Sequence, residues 1–157
     1  MLEMPFTNTI IPVELTLNGN YRGLYGLTEQ VEVKTNRINI GEKGILLEFD
    51  QYFDEEWQFR SANYNLPVMV KDPGLESKDE LDLIESEWNN FEALIAHEDF
   101  PNNNYLDYIE AESIAKYFIV NMLTSNEEIN HPKSTYIYKE DGGKYCLLYT
   151  SDAADES

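Results

Sequence analysis

Pro12-Val-Glu-Leu-Thr-Leu-Asn-Gly-Asn-Tyr-Arg-Gly-Leu-Tyr-Gly-Leu-Thr-Glu-Gln30 is the stretch on which the fold turns. From Val13 to Leu17 apolar and polar residues alternate, Asn18-Gly19 interrupts, and Tyr21 to Leu27 resumes with aromatic and aliphatic side chains. Alternation on both sides of an Asn-Gly pair predicts a β-hairpin, because both residues of the tight turn need positive φ, which Asn and Gly tolerate cheaply. Gly23 and Gly26 in the return strand have two readings. They leave room for a close backbone or ligand, or they mark a twisted or bulged strand.

Working outward, Val31 to Ile40 is expected to continue the sheet, and Gly44-Ile-Leu-Leu-Glu-Phe-Asp50 reads as a strand buried on at least one face. Leu66 to Lys71 is a further strand. Asp72-Pro73-Gly74 stops it, since Pro donates no amide and Gly permits the turn. The period then changes: Leu81, Ile84, Trp88, Phe91 and Ile95 recur every three or four residues, with Ser77 and Glu80 spaced as a capping box, so an amphipathic helix follows. A second helix is expected from about Ile109 to Thr124. Ile114, Tyr117, Phe118, Met122 and Leu123 leave it few polar faces, which predicts the more deeply buried of the two. Asn102-Asn-Asn104 links the helices. Ser134 to Lys139 alternates as a strand, and Glu140-Asp-Gly-Gly143 turns the chain into a partner strand beginning at Lys144. The class is therefore α+β: an antiparallel sheet in the N-terminal half, then two helices and a terminal hairpin.

At 157 residues, 42% of them hydrophobic and 13% aromatic, the chain has the apolar content for one domain with a sizeable core. Its formal charge of −19, from 30 acidic against 11 basic residues, repels phosphate backbones and anionic lipid surfaces. Nucleic acid is not an expected partner. Acidity suits a basic partner or a divalent cation, or is simply a solvated surface. No apolar run reaches the roughly 18 residues of a spanning helix, so no membrane insertion is expected. Cys146 is the one cysteine.

The hairpin string resembles the opening of the spore coat protein H (CotH) kinase family. Leu46-Leu-Glu-Phe-Asp50 with Glu55, Val68-Met-Val-Lys-Asp-Pro73, and Asn126-Glu-Glu-Ile-Asn-His-Pro-Lys-Ser-Thr-Tyr-Ile-Tyr-Lys139 resemble later landmarks of that family, in the same order. The resemblance covers Ile11 to Tyr145. It implies an incomplete atypical protein-kinase-like domain, residues 1–145, that transfers phosphate from ATP with Mg²⁺ to Ser or Thr of a protein partner. From Cys146 the run Cys-Leu-Leu-Tyr-Thr-Ser-Asp-Ala-Ala-Asp-Glu-Ser resembles a translated sequencing adapter, so residues 146–157 are expected to be a non-native tail. In the family a metal-holding aspartate follows that last strand, and on this reading the fragment is inactive. The alternative to foreign sequence is an ordinary strand, Tyr145 to Thr150, with a frayed acidic end.

Phosphoryl transfer needs cations on the phosphates, a metal to neutralise developing charge, and a carboxylate to orient the attacking hydroxyl. Lys71, at a strand end, either reaches phosphate oxygens with Glu29 as its ion-pair partner or is a surface lysine. Glu128 falls on the family's catalytic-acid position, where many relatives resemble one another in carrying Asp. Asn126 is a metal or phosphate neighbour on the same resemblance, or else a helix C-terminal cap. Lys133 adds positive charge for a phosphate, or is an ordinary loop lysine. His131 has only His97 as a second imidazole, which disfavours a histidine-built metal site. Asp50, Asp54, Glu55 and Glu56, interleaved with Tyr52, Phe53 and Trp57, form either a cation or basic-peptide site or a charged loop with aromatic anchors. The competing function is a non-catalytic surface or spore-coat assembly module that keeps the kinase shape. Location at the spore coat or cell surface follows from the resemblance alone.

Overall fold

The structure is a computed structural model that describes residues 9–34, 37–126 and 133–148. Strands β1 (Ile10–Leu17) and β2 (Asn20–Thr28) form the hairpin, and its turn residues Asn18 and Gly19 have φ of 51° and 79°, as the Asn-Gly pair requires. The register shifts once, between Leu15 and Thr16, opposite Gly23. Gly23 sits at φ 109° with nothing within 4 Å of where a Cβ would stand, so this glycine serves a bulge. The hairpin is a two-stranded sheet of its own. None of its residues is buried, and Ile11, Leu17, Tyr25 and Leu27 all face outward.

The main sheet has five antiparallel strands in the order β4-β5-β3-β6-β7. These are β3 (Ile45–Phe49), β4 (Gln58–Arg60), β5 (Pro67–Asp72), β6 (Thr135–Lys139) and β7 (Tyr145–Leu148). The terminal hairpin thus joins the N-terminal strands, with β3 at the centre. Strand alternation sorts β3 by face: Leu47 and Phe49 enter one apolar cluster, and Leu46 enters another with Ile38, Ile40, Tyr138 and Leu148.

Helix α1 (Lys78–Ala96) covers the first face. The Ser77 side chain accepts from the Glu80 amide, while the Glu80 carboxylate reaches back to the amide of Glu76, one residue upstream of the usual capping-box partner. Leu81, Ile84, Trp88 and Phe91 are the buried stripe the spacing predicts. The Trp88 ring lies 5.2 Å from Phe49, 5.4 Å from Phe91 and 5.3 Å from Tyr145, all tilted or edge-on, the favoured aromatic geometry. The same helix ties down the connection between β4 and β5. The Ala62 amide donates to Asn89 Oδ1 at 2.9 Å and the Asn63 amide to Glu92 Oε2 at 2.6 Å.

Two expectations are corrected. Val31 to Ile40 does not extend the sheet; its described residues make an isolated bridge between Val33 and Ile38, and Ile38 and Ile40 instead lie over the second face as a cover. Helix α2 (Ala111–Thr124) is not the deeply buried one. Asn121 is its one buried residue, whereas Met122 and Leu123 are each 78% exposed and Phe118 and Ile119 are also outward. An apolar pattern states that a helix prefers cover, but the cover must come from elsewhere in the chain, and here α2 leans on β7. Ser113 Oγ donates to the Leu147 carbonyl at 3.2 Å, and the Glu110 amide to the Tyr145 carbonyl at 2.9 Å. These bonds also occupy the outer edge of β7, the exposed ladder that would otherwise invite pairing. Strand β7 runs through Cys146 and Leu147 to Leu148, which pairs with Tyr136 and is buried.

Candidate functional site

Glu48 interrupts an apolar strand, Ile45-Leu-Leu-Glu-Phe49, and alternation turns it to the face opposite α1. A carboxylate buried there needs a cationic partner, because an unpaired buried charge costs several kcal/mol, on the order of the domain's stability. Lys71, on neighbouring strand β5, supplies it: Lys71 Nζ lies 3.2 Å from Glu48 Oε2. A second carboxylate, Glu55, reaches the same ammonium from the connection between β3 and β4. The two acids differ in setting. The Glu48 side chain is 8% exposed and Glu55 39%. Burial by itself would lower the Lys71 pKa, but the hydrogen bonds Lys71 donates to Glu55 and Glu48 and the charges of both carboxylates outweigh it, so Lys71 is held above its ordinary value and stays protonated.

Two residues along the chain, Asp50 does a different job. Its buried carboxylate accepts from the Tyr52 amide through Oδ1 at 2.8 Å and from the Ser134 amide through Oδ2 at 2.9 Å. Ser134 has φ of 44°, a left-handed conformation that costs a non-glycine residue about 1 kcal/mol and is held here by this bond. Glu48 and Asp50 are about 7 Å apart along an extended chain. One strand end therefore fixes both the Lys71 ammonium and the point where the segment after α2 enters β6.

At the other end of that segment, Ser125 at φ 55° turns the chain out of α2. The Ser125 amide donates to the Met122 carbonyl and the Asn126 amide to the Asn121 carbonyl, which is the paired bonding of a Schellman motif. Asn126 Nδ2 also donates to Asn121 Oδ1 at 2.9 Å, and Asn121 Nδ2 to the Tyr117 carbonyl at 2.9 Å. The left-handed cap expected of Asn126 falls instead on Ser125, and Asn126 follows it, its amide closing the motif and its side chain oriented by the buried Asn121 amide.

The other expected residues fall as follows. Glu29 lies 3.6 Å from Arg37, so the Lys71 ion pairs seen are with Glu48 and Glu55. Lys133 is exposed at the start of the turn into β6. Glu128 and His131 lie outside the described residues. The acidic group around Asp50 does not converge: Asp50 caps amides, Glu55 faces Lys71, and Phe53 carries the Arg60 guanidinium 4.5 Å over its ring. Among the described residues no group of three or more His, Cys, Asp or Glu side chains is placed to hold a metal ion. What the sequence reading missed is Glu48 and the role of Asp50. The signal was present, an acid inside an apolar strand and another at its end, since neither position is tolerated without a partner.

Chemically, the arrangement offers a protonated, partly shielded ammonium already matched by two carboxylates, so an anionic oxygen reaches it only in place of one of them. The amide oxygen of Asn126 is of the donor type Mg²⁺ accepts.

The family model described as CotH kinase protein matches residues 4–149. Comparison with curated proteins and with solved structures returned no match. The match spans nearly the whole chain, from before the hairpin through β7, and includes every residue of the Lys71, Asp50 and Asn126 arrangements; the chain belongs to the CotH kinase protein family.

Proposed function

We propose that this chain carries the nucleotide-phosphate-holding part of an ATP-dependent protein kinase. Lys71 neutralises phosphate oxygens, Asn126 and Lys133 flank the transferring group, and Glu128 orients the acceptor hydroxyl of a Ser or Thr on a protein substrate. Mg²⁺, when bound with ATP, neutralises charge that develops on the phosphates. The reading rests on family membership and on one observation: Glu48 on β3 holds the Lys71 ammonium, and Asp50, just past the end of β3 and two residues on, holds Ser134 at the entry to β6. Phosphoryl transfer is mostly positioning and charge stabilisation, and this is a rigid way to provide both. A basic, Ser/Thr-rich protein is the acceptor type that a surface of charge −19 attracts.

The test is calorimetric titration of the chain with ATP, with and without Mg²⁺, followed by incubation with γ-labelled ATP and a basic Ser/Thr-rich protein. Mg²⁺-dependent ATP binding is expected of the chain, and labelling of the acceptor, lost in Glu128→Gln, is expected of the parent protein that carries the metal-holding aspartate. Absence of any ATP binding would overturn the reading in favour of a non-catalytic assembly module, and labelling that survives Glu128→Gln would remove Glu128 from its role.

A further inference from the structure

Lys71 carries two carboxylates where one would balance its charge, and the two are not equivalent. Glu48 is fixed on the central strand, hydrogen-bonded into its neighbours on both sides, with its side chain 8% exposed. Glu55 hangs from a connection of turns and bends between β3 and β4, and its side chain is 39% exposed. A buried ion pair is costly to break because it strands a charge away from water, while an exposed partner regains hydration when it leaves. Any anionic oxygen that approaches Lys71 therefore replaces Glu55 and leaves Glu48 in place.

We infer that Glu48 is the positioning residue of Lys71 and that Glu55 is an exchangeable carboxylate occupying the place of a phosphate oxygen, so that nucleotide binds by displacing it. This rests on the reading of Lys71 as a phosphate-holding group. It gives that site a built-in competitor: affinity for a polyphosphate is set by its ability to outbid a tethered carboxylate, and neutral ligands gain nothing at Lys71. The raised basicity of Lys71 accords with a cation satisfied from two sides.

The experiment titrates the full chain, its Glu55→Gln variant and its Glu48→Gln variant with ATP and, separately, with inorganic triphosphate, each with Mg²⁺, after circular dichroism has established folding. Glu55→Gln is expected to bind both probes about three- to fivefold more tightly, the scale of losing one exposed ion-pair competitor. Glu48→Gln is expected to bind about tenfold more weakly, because Lys71 loses its fixed orientation. Opposite signs are the diagnostic, since two merely structural acids would shift affinity the same way or leave it unchanged. Binding by the unsubstituted chain that Glu55→Gln leaves unaltered or weakens overturns the inference while sparing the phosphate-holding reading. Failure of all three proteins to bind either probe overturns both. Should Glu48→Gln not fold, the Glu55→Gln comparison decides alone.

Discussion

Asp50→Ala is the substitution whose cost the structure specifies best. Asp50 is buried, and its two oxygens take the amides of Tyr52 and Ser134 at 2.8 and 2.9 Å, with the Ser134 hydroxyl at 3.4 Å. Alanine removes both acceptors. The side chain of Tyr52 is largely in solvent, so its amide regains a water and loses about 1 kcal/mol; Ser134 is half-buried and its amide, accepted by a carboxylate, loses about 2 kcal/mol. With the left-handed Ser134 no longer held, the expected destabilisation is about 3 kcal/mol, a large part of the 5–15 kcal/mol typical of a domain. Urea unfolding followed by circular dichroism measures it, and amide exchange localises it. The midpoint should fall with little change in slope, and the Ser134 amide should lose protection before those of β3. A loss below about 1 kcal/mol with Ser134 still protected would refute the reasoning, because it would mean that the 84-residue bridge carries no load.

Ser125→Gly should stabilise the chain by about 0.5–1 kcal/mol, because glycine takes the left-handed C-terminal position of α2 without strain; thermal unfolding checks it. Burial holds the Asp72 carboxyl above the ordinary carboxylate value, so the folded chain binds that proton more tightly than the unfolded one. Its stabilising contribution is full below the unfolded value and is lost as pH rises through the raised folded value; Asp72→Asn should flatten that part of the stability–pH curve and raise the melting temperature at neutral pH. Trp88→Ala should cost about 3–5 kcal/mol, as it empties the centre of the aromatic cluster, whereas Met122→Ser, at a 78% exposed position, should stay within about 0.5 kcal/mol in the same denaturation assay.

The local elements were legible because their causes are local. Asn18-Gly19 dictates a hairpin through φ, the Leu81–Ile84–Trp88–Phe91 spacing dictates a helix face, and Ser77 with Glu80 dictates where that helix starts. Family membership was legible too, since ordered landmarks from Pro12 to Lys139 are carried by the residues themselves and the family match covers them. Lys71 and Asn126 could be singled out by type and position. Their neighbours could not.

Which side chains meet was decided only by tertiary structure, because a contact between strands or across 84 residues depends on register and sheet order that no short window contains. The order β4-β5-β3-β6-β7 put β3 in the centre, and with it Glu48 against Lys71 and Asp50 against Ser134. The same cause explains α2: its sequence states that an apolar surface exists, and only the arrangement of the other elements determines whether anything lies over it. Hydrophobic pattern fixes what a segment prefers; packing geometry fixes what it receives.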